Sequence, residues 1–280
     1  RILGETNACL KGPMTTPEEI GAPPSAAVTI RRKFGLYANV RPCKSLPSVP
    51  SLKPNIDLII VRENTEGLYF GEEFEVSPGK GVAIRLITRD ASEKVARLAF
   101  ELAMKRKRHV TCVHKRNILR VTDGIFRDAV YSVAEDYPSV TLDEVHVDAM
   151  AMRLIKEPEK FDVIVTTNMF GDILSDEAAQ IVGGLGVAAG ANIGDDYAMF
   201  EPVHGSAPKY AGKNKVNPIA TILAAKMMME YLGEIEAAEI IEQAVDEVLR
   251  EGKVRTYDLG GDSTTQEVGE EIASKIMEIS

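Results

Sequence analysis

Short, mainly apolar runs alternate with longer stretches of helical spacing along most of this chain. The runs at 56–61 (IDLIIV), 110–113 (VTCV) and 161–166 (FDVIVT) are typical of strands buried within a sheet. Between them, residues 91–107 and 122–135 carry apolar side chains at the three- and four-residue spacing of amphipathic helices. Such alternation predicts an α/β fold. A chain of 280 residues is long enough to form two lobes that share one site.

Two further segments have local patterns of their own. In residues 70–86, two strand-like runs flank 77–81 (SPGKG), a sequence typical of a hairpin turn, so this segment is predicted to form a projecting β arm. From 217 onward the pattern is helical, because 217–218 is a cap residue followed by proline. Residues 236–251 predict another helix, which stops at Gly252.

The charge balance excludes whole classes of partner. With 33 Lys and Arg against 42 Asp and Glu, the net charge is −9, so the chain has no general attraction for nucleic acid or for an anionic membrane. No apolar run approaches membrane-spanning length. Cys9, Cys43 and Cys112 are too widely spaced for a disulfide framework or a repeated zinc pattern, which favours a reducing, cytoplasmic setting. Because the chain as a whole is negatively charged, an anionic ligand must be bound by a local basic cluster.

Three arginines are candidates for that cluster. Arg41 and Arg62 each end an apolar run, and α/β proteins bind ligands at the sheet edge where such strands end. Arg31 lies upstream of both. Because guanidinium groups bind carboxylates in a planar, bidentate manner, the trio predicts a small substrate with more than one carboxylate. The alternative is three unrelated surface ion pairs.

Carboxylates at helical spacing form a candidate metal site. Asp172 and Asp176 lie four residues apart in a helix-start sequence, so both carboxylates face the same side. Mg²⁺ and Mn²⁺ use few protein carboxylates and complete their shell with substrate or water. Asp148, which follows the strand-like run 145–147, is a candidate third ligand. The alternatives are acids that favour the helix macrodipole and a strand-end cap at Asp148.

Tyr69 and Lys115 are candidates for proton transfer. Lys115 ends an apolar run, and a lysine withdrawn from water near arginines and a metal has its charged form disfavoured, as proton transfer requires. An ordinary solvated lysine is the alternative. His204 lies in a loop whose small residues permit close approach of a ligand.

Ordered motifs along the chain resemble those of one known family. They are 10–17 (LKGPMTTP), 36–42 (LYANVRP), 61–69 (VRENTEGLY), 114–124 (HKRNILRVTDG), 168–178 (NMFGDILSDEA), 183–194 (GGLGVAAGANIG) and 201–218 (EPVHGSAPKYAGKNKVNP). On these motifs the chain resembles the metal-dependent decarboxylating dehydrogenases, which include isocitrate, 3-isopropylmalate and homoisocitrate dehydrogenases. The resemblance covers practically the whole sequence.

The resemblance implies a two-lobed α/β fold that lacks the G-x-G-x-x-G turn of the Rossmann fold. Residues 1–36 and 183–280 are expected to form a large cofactor-binding domain. Residues 37–182, including the arm at 70–86, are expected to form a small domain for substrate, metal and dimerisation. The sequence begins after the strand, turn and helix with which members of this family usually start. A non-catalytic subunit or fragment that binds without turnover is therefore an alternative of another class.

The resemblance also implies roles for individual residues. The implied substrate-binding residues are Ser25, Arg31, Arg41 and Arg62. The implied proton-transfer residues are Tyr69 and Lys115. The implied metal ligands are Asp148, Asp172 and Asp176. The residues that the resemblance implies for dinucleotide binding are Thr15, His204, Gly205, Lys209, Tyr210, Asn217 and Tyr257. Lys115 and Asp148 are expected to reach the site from a neighbouring subunit, which implies a homodimer with shared active sites, or a higher oligomer. The implied cofactors are a nicotinamide dinucleotide and Mg²⁺ or Mn²⁺.

Two positions bear on which member of the family the chain resembles. Ser25 lies where isocitrate dehydrogenases keep a serine, although Ala27 replaces their usual asparagine. NAD-dependent relatives commonly carry Asp-Ile where this chain has Lys209-Tyr210, and that pair together with Tyr257 resembles NADP-dependent isocitrate dehydrogenases. We therefore expect isocitrate to be oxidised to 2-oxoglutarate with NADP. The alternative is 3-isopropylmalate or homoisocitrate as substrate, with NAD.

Overall fold

The computed structural model describes residues 2–15 and 25–280 and places their strands in two sheets. Thr16 and Pro17, the end of the 10–17 motif, lie outside the described residues. The strands are β1 (Ala8–Leu10), β2 (Ala38–Lys44), β3 (Asp57–Glu63), β4 (Glu73–Ser77), β5 (Lys80–Ala83), β6 (His109–His114), β7 (Thr141–His146), β8 (Val163–Thr166), β9 (Ala189–Ile193) and β10 (Ala198–Pro202).

The large sheet is mixed, with the strand order β1-β10-β9-β2-β3-β8-β6-β7. β3, β8, β6 and β7 run parallel, whereas β2 and β9 are antiparallel to each of their neighbours. The runs predicted as strands at 56–61, 161–166 and 110–113 are β3, β8 and β6, which lie side by side. The α/β prediction is confirmed. Strands of both predicted domains join this one sheet, and the division into two lobes stays a prediction.

Helices cover both faces of the large sheet. The predicted helices at 91–107 and 122–135 are observed, as is the one at 236–251, which ends at Gly252 with φ 68°. The helix predicted from 217 begins at Ile219, whose N–H donates to Asn217 Oδ1 at 2.9 Å. No helix of the described residues is long and apolar enough to span a membrane. The helices are α1 (Ala26–Lys33), α2 (Arg89–Met104), α3 (Thr122–Ala134), α4 (Val147–Lys156), α5 (Asn168–Val182), α6 (Ile219–Tyr231), α7 (Ile235–Glu251) and α8 (Thr265–Ile279).

Side-chain alternation along β2 and β3 decides which residues face α5. Ile60 packs in the cluster formed with α4 and α5, whereas Val61 packs on the opposite face with α2 and α3. Arg62 lies two positions after Ile60 and so shares the α5 face. On β2, Arg41 shares that face with Cys43, which packs in the same cluster. Strand geometry thus brings both arginines to one helix.

β4 and β5 form a separate antiparallel hairpin, which confirms the predicted β arm. The strands pair from Glu73 with Ala83 to Ser77 with Lys80, and Gly79 turns the chain at φ 77°. Every residue of the two strands except Ser77 is exposed. An isolated two-stranded hairpin is only marginally stable in water, so this arm buries too little to support itself.

Candidate active site

Arg41 and Arg62 converge on one carboxylate of α5. Arg62 Nη1 contacts Asp172 Oδ1, and Arg41 Nη2 lies 3.2 Å from the same oxygen. Arg41 Nη1 also lies 3.2 Å from Asp176 Oδ1. Both arginines are buried, whereas the side chains of Asp172 and Asp176 are 34% and 55% exposed. The structure therefore brings two of the three arginines together with both aspartates.

Neutral polar side chains fix the two guanidinium groups. Arg62 Nε and Nη2 donate to Asn168 Oδ1 at 2.9 and 2.6 Å. Arg41 Nε donates to Asn39 Oδ1 at 2.7 Å, and its Nη1 donates to Ser175 Oγ at 2.6 Å. Asn39, Asn168 and Ser175 are all buried. Because buried partners hold these donors, the arginines are positioned before a ligand arrives, which lowers the entropic cost of binding.

A glycine allows α5 to approach Arg62 closely. A Cβ at Gly171 would lie 2.6 Å from the Cβ of Arg62 and 3.1 Å from Cγ2 of Thr166. The distance to Arg62 leaves no room for a methyl group, and the distance to Thr166 is shorter than an ordinary van der Waals contact. The helix therefore rests directly on the stem of Arg62, which places Asp172 beside the guanidinium group.

Burial and neighbouring charges set the protonation of this cluster. Burial lowers the pKa of Arg62 to about 10, against the attraction of Asp172. Burial raises the pKa of Asp172, but the charges of Arg62 and Arg41 outweigh that effect and hold it below its ordinary value. The pKa of Asp176 is raised, because there burial outweighs the attraction of Arg41. Asp172 is thus ionised at neutral pH, as a metal ligand must be.

Tyr69 adds a hydroxyl to this cluster. It lies in the 3₁₀ turn Leu68–Phe70, its hydroxyl donates to Asp172 Oδ2, and the guanidinium carbon of Arg62 is 4.9 Å from its ring centre. Burial, and after it the hydrogen bond to Asp172, raises the pKa of Tyr69. The phenol is therefore protonated near neutral pH and is suited to donate a proton.

Arg31 lies next to this cluster and pairs with another carboxylate. Its Nη2 is 3.1 Å from Glu201 Oε1, and Lys11 Nζ is 2.6 Å from Glu201 Oε2. Burial raises the pKa of Glu201, but Arg31 and Lys11 outweigh that effect and lower it. Arg31, Arg41 and Ser25 all line one cavity of about 140 Å³. Arg31 and Lys11 carry two positive charges and Glu201 carries one negative charge, so this group keeps a net positive charge beside the cavity. Such a charge suits a carboxylate ligand.

Lys115 and Asp148 are paired with each other. Lys115 Nζ lies 2.6 Å from Asp148 Oδ1. Within the described chain, neither makes a hydrogen bond or an ion pair with Tyr69, Asp172 or Asp176. Their assignment to the site of a neighbouring subunit stays a prediction.

The candidate metal ligands Asp172 and Asp176 are the only two predicted carboxylates that the described residues bring together. Across residues 2–15 and 25–280, no group of three or more His, Cys, Asp or Glu side chains is arranged to hold a metal ion. Asp172 and Asp176 carry carboxylates one helical turn apart, with side chains that are 34% and 55% exposed. This donor set fits Mg²⁺ or Mn²⁺, which need oxygen ligands and few protein carboxylates. Completion of this set by Asp148 of a neighbouring chain stays a prediction.

A second, larger cleft of about 560 Å³ contains several of the predicted dinucleotide residues. The buried Nε2 of His204 has no hydrogen-bond partner among the described residues, so its hydrogen-bonding capacity is unused there. His204 and Gly205 also line the 140 Å³ cavity, so the two spaces adjoin. Thr15 hydrogen-bonds to Ser206 of the same loop. These features fit a dinucleotide. The cleft is lined in part by His204, Gly205, Asn217, Tyr257 and Asp258.

The remaining predicted residues, Lys209 and Tyr210, lie with Lys215 and Tyr257 in a basic patch, which we define by these four residues. The two rings lie 5.4 Å apart, with Lys209 Nζ 5.0 Å from the Tyr210 ring and Lys215 Nζ 5.0 Å from the Tyr257 ring. The hydrogen bond with Tyr257 lowers the pKa of Tyr210, aided by Lys209, whereas burial raises the pKa of Tyr257. Two ammonium groups and two hydroxyls at one place suit a phosphate.

Sequence reasoning missed several polar residues of these sites, and we single out four whose partners lie in distant parts of the chain. Each lies inside one of the family motifs, and that position was the only signal for it. Position in a motif does not identify the partner of a side chain, and every contact concerned joins distant parts of the chain. The residues are Lys11, Asn168, Glu201 and Lys215.

Comparisons with known proteins agree with this geometry. A family model described as isocitrate/isopropylmalate dehydrogenase matches residues 1–272. The 3-isopropylmalate/3-methylmalate dehydrogenase of Methanocaldococcus jannaschii is 52% identical over 256 residues, which cover 90% of this chain and 77% of that protein. The homoisocitrate dehydrogenase of the same organism is 48% identical over 285 residues, covering 97% and 81%. The crystal structure of isocitrate dehydrogenase from Methylococcus capsulatus matches with a TM-score of 0.94 and 45% identity, covering 98% and 83%.

Proposed function

Because this chain belongs to the isocitrate/isopropylmalate dehydrogenase family of decarboxylating dehydrogenases, we propose that it oxidises and decarboxylates a 2-hydroxy acid with a carboxylate on C3, and that the substrate is 3-isopropylmalate or homoisocitrate. One observation carries the reaction type: buried Arg41 and Arg62 meet the ionised Asp172 beside the Tyr69 hydroxyl. Carboxylate binding, a metal ligand and a proton donor are thereby combined in one place.

The substrate assignment departs from the expectation of isocitrate, which is not confirmed. The two Methanocaldococcus jannaschii relatives are named for 3-isopropylmalate/3-methylmalate and for homoisocitrate, and these names support the alternative. Isocitrate is the second candidate, because Ser25 lines the cavity that contains Arg31 and Arg41, and because the similar Methylococcus structure is that of an isocitrate dehydrogenase.

Initial rates with all three acids, each measured with NAD and with NADP, test this proposal. We expect 3-isopropylmalate or homoisocitrate to give a kcat/KM roughly tenfold or more above that of isocitrate, because the pocket discriminates on the C3 substituent. Reduced dinucleotide and CO₂ should form together and depend on Mg²⁺ or Mn²⁺. A highest kcat/KM with isocitrate would reverse the substrate assignment. No turnover of any of the three would favour the non-catalytic subunit.

The side chains of this site divide the chemistry between them. Arg31, Arg41 and Arg62 hold the substrate carboxylates, so that C2 and C3 are fixed relative to the proton-transfer groups. Asp172 and Asp176 would hold a metal ion, which would supply positive charge near the C2 oxygen, and a bound dinucleotide would be the hydride acceptor. Lys115 from a second copy of the chain accepts the C2 hydroxyl proton, and Tyr69 donates a proton to C3 after CO₂ has left.

Replacing the metal-binding carboxylates should alter the metal requirement. In Asp176→Asn we expect the Mg²⁺ concentration for half-maximal activity to rise roughly tenfold or more, since a hard cation loses an anionic ligand. Asp172→Asn should also raise the Mg²⁺ concentration for half-maximal activity. Because this change removes the charge partner of buried Arg62, it should lower the melting temperature too. Metal titrations of initial rate and thermal melts check both effects. An unchanged Mg²⁺ requirement in both variants would refute the assignment.

The basic patch supports NADP as the dinucleotide. NADP differs from NAD by a 2′-phosphate, for which Lys209 and Lys215 offer charge and the two tyrosines offer hydroxyls. Choice of dinucleotide and choice of substrate are separate questions here, because the patch contains no residue that lines the cavity around Arg31. NADP is therefore compatible with each candidate acid.

A double replacement of Lys209 by Asp and Tyr210 by Ile should reverse this preference. Loss of a charged hydrogen bond costs about 1.5 to 3 kcal/mol, so the ratio of kcat/KM for NADP over NAD should fall by roughly one to three orders of magnitude. The added carboxylate repels the phosphate of NADP. Lys213→Asp makes the same charge change in the same segment. Lys213 meets Tyr210 through a backbone hydrogen bond, and its ammonium group is not among the described contacts to either ring, so this change should leave the ratio nearly unchanged. Equal ratios in parent and double variant would contradict the role of the patch.

The exposed arm supports a homodimer. Phe74, Val76 and Val82 are 42–55% exposed on a hairpin that is marginally stable alone. A second copy of the chain would cover these side chains. The same association would supply Lys115 and Asp148 to each site. Sedimentation of the purified protein should therefore show a dimer, and a monomer with full activity would contradict the shared site.

A further inference from the structure

Lys115 is held in place through its backbone. It directly follows β6, and its carbonyl accepts the N–H groups of Ile118 and Leu119 at 3.0 and 2.8 Å. Its own N–H donates to Asp123 Oδ2 at 2.6 Å. The side chain of Lys115 makes its ion pair with Asp148, which is 66% exposed and therefore a weak constraint on position. Asp123 is thus the side chain, among the described contacts, that fixes the main chain of Lys115.

Asp123 is anchored in turn by an arginine. It lies in the first turn of α3, its side chain is fully buried, and Arg85 Nη1 lies 2.6 Å from its Oδ1. Arg85 is held by the hydroxyls of Thr122 and Thr167, at 2.7 and 3.2 Å. A buried carboxylate that lost Arg85 would be left without a countercharge, so the pair helps to hold Asp123 in its orientation toward Lys115. Asp123 makes no described contact with Tyr69 or Asp172.

We propose that Asp123, fixed by Arg85, is a positioning residue that sets the place of Lys115 for proton transfer. The proposal rests on the role of Lys115 given above. The two oxygens of Asp123 have different partners, since Oδ2 accepts the Lys115 N–H and Oδ1 forms an ion pair with Arg85 without a hydrogen bond. Arg85 follows β5 by two residues, so the same pair joins the base of the β arm to the residue that transfers the proton.

Three variants separate positioning from folding. Asp123→Ala removes both contacts, and we expect its kcat to fall roughly 10- to 100-fold with a substrate KM within about threefold of the parent, because a displacement near 1 Å costs rate rather than carboxylate binding. Asp123→Asn retains an oxygen that accepts the Lys115 N–H, and it should recover most of that loss. Val130→Ala removes buried volume from the same helix without touching Lys115, and it should lower the melting temperature while kcat stays unchanged.

A double variant shows whether Asp123 acts through Lys115. If it does, Lys115→Ala combined with Asp123→Ala should be no slower than Lys115→Ala alone, whereas independent effects would multiply. The proposal would be overturned if the kcat losses of the two single variants multiplied in the double variant. A parental kcat in Asp123→Ala would overturn it as well. If Asp123→Ala does not fold, Arg85→Gln should lower kcat with unchanged KM, and a parental kcat there would overturn it instead. A parental kcat in Lys115→Ala would refute the role of Lys115 itself, which is a distinguishable result.

Discussion

Mixing two inactive variants is expected to restore activity. Lys115→Ala and Tyr69→Phe should each lower kcat by about 10²- to 10⁴-fold, because each removes one proton-transfer group. When the two chains are unfolded together and refolded at equal amounts, half of the dimers are mixed, and each mixed dimer has one site with both groups intact. The mixture should therefore regain about one quarter of the parental activity. The measurement is the initial rate of dinucleotide reduction, before and after co-refolding.

The same experiment contains its own controls. Each variant refolded alone should stay as slow as before, and the parent refolded alone should return to its original rate, which corrects for losses during refolding. A mixture no faster than its components would show that Lys115 and Tyr69 of one chain serve the same site. That result would require Lys115 to leave Asp148 and approach Tyr69 within its own chain, which the described contacts do not show.

Gly171→Ala should destabilise the protein although it lies inside a helix. Alanine normally stabilises a helix interior by about 1 kcal/mol relative to glycine. Here the new methyl group would overlap the stem of Arg62, and overpacking of this kind costs about 1 to 3 kcal/mol, so the free energy of unfolding should fall. Movement of Arg62 should also lower kcat/KM by roughly 10- to 100-fold. Denaturant unfolding and initial rates measure the two effects.

Gly269→Ala is the matched control. Gly269 lies inside α8, and a Cβ there meets no atom within 4 Å. We expect this variant to gain about 0.5 to 1 kcal/mol of stability and to keep its activity. If both alanine variants were equally stable and active, α5 would not rest on Arg62, and the account of how Asp172 is placed would be wrong.

Local patterns predicted the parts of the site that local geometry decides. The apolar run before Arg62 predicted that this residue ends a strand at the sheet edge, and the four-residue spacing predicted that Asp172 and Asp176 face the same side. The arm was predicted because 77–81 contains turn residues between two strand-like runs. These features depend on a few neighbouring residues, so one sequence was sufficient to find them.

Contacts between distant segments were not predictable in the same way. Lys11 meets Glu201 because β1 and β10 pair in parallel with Leu10 opposite Phe200, which sets the next residue of each strand side by side. That register is decided by packing across the sheet and leaves no trace in either segment alone. The pairing of Arg85 with Asp123 has the same character. Fold class and motif residues could therefore be predicted, but their charge partners could not.

The loop that contains His204 and Gly205 borders two spaces at once, the 140 Å³ cavity and the 560 Å³ cleft. If a ligand in one space moves this loop, the loop surface that lines the other space changes as well. The two binding equilibria then form a thermodynamic cycle, in which the factor by which the first ligand changes the affinity of the second equals the factor in the opposite direction. The total free energy of binding both ligands is therefore the same whichever ligand is titrated first.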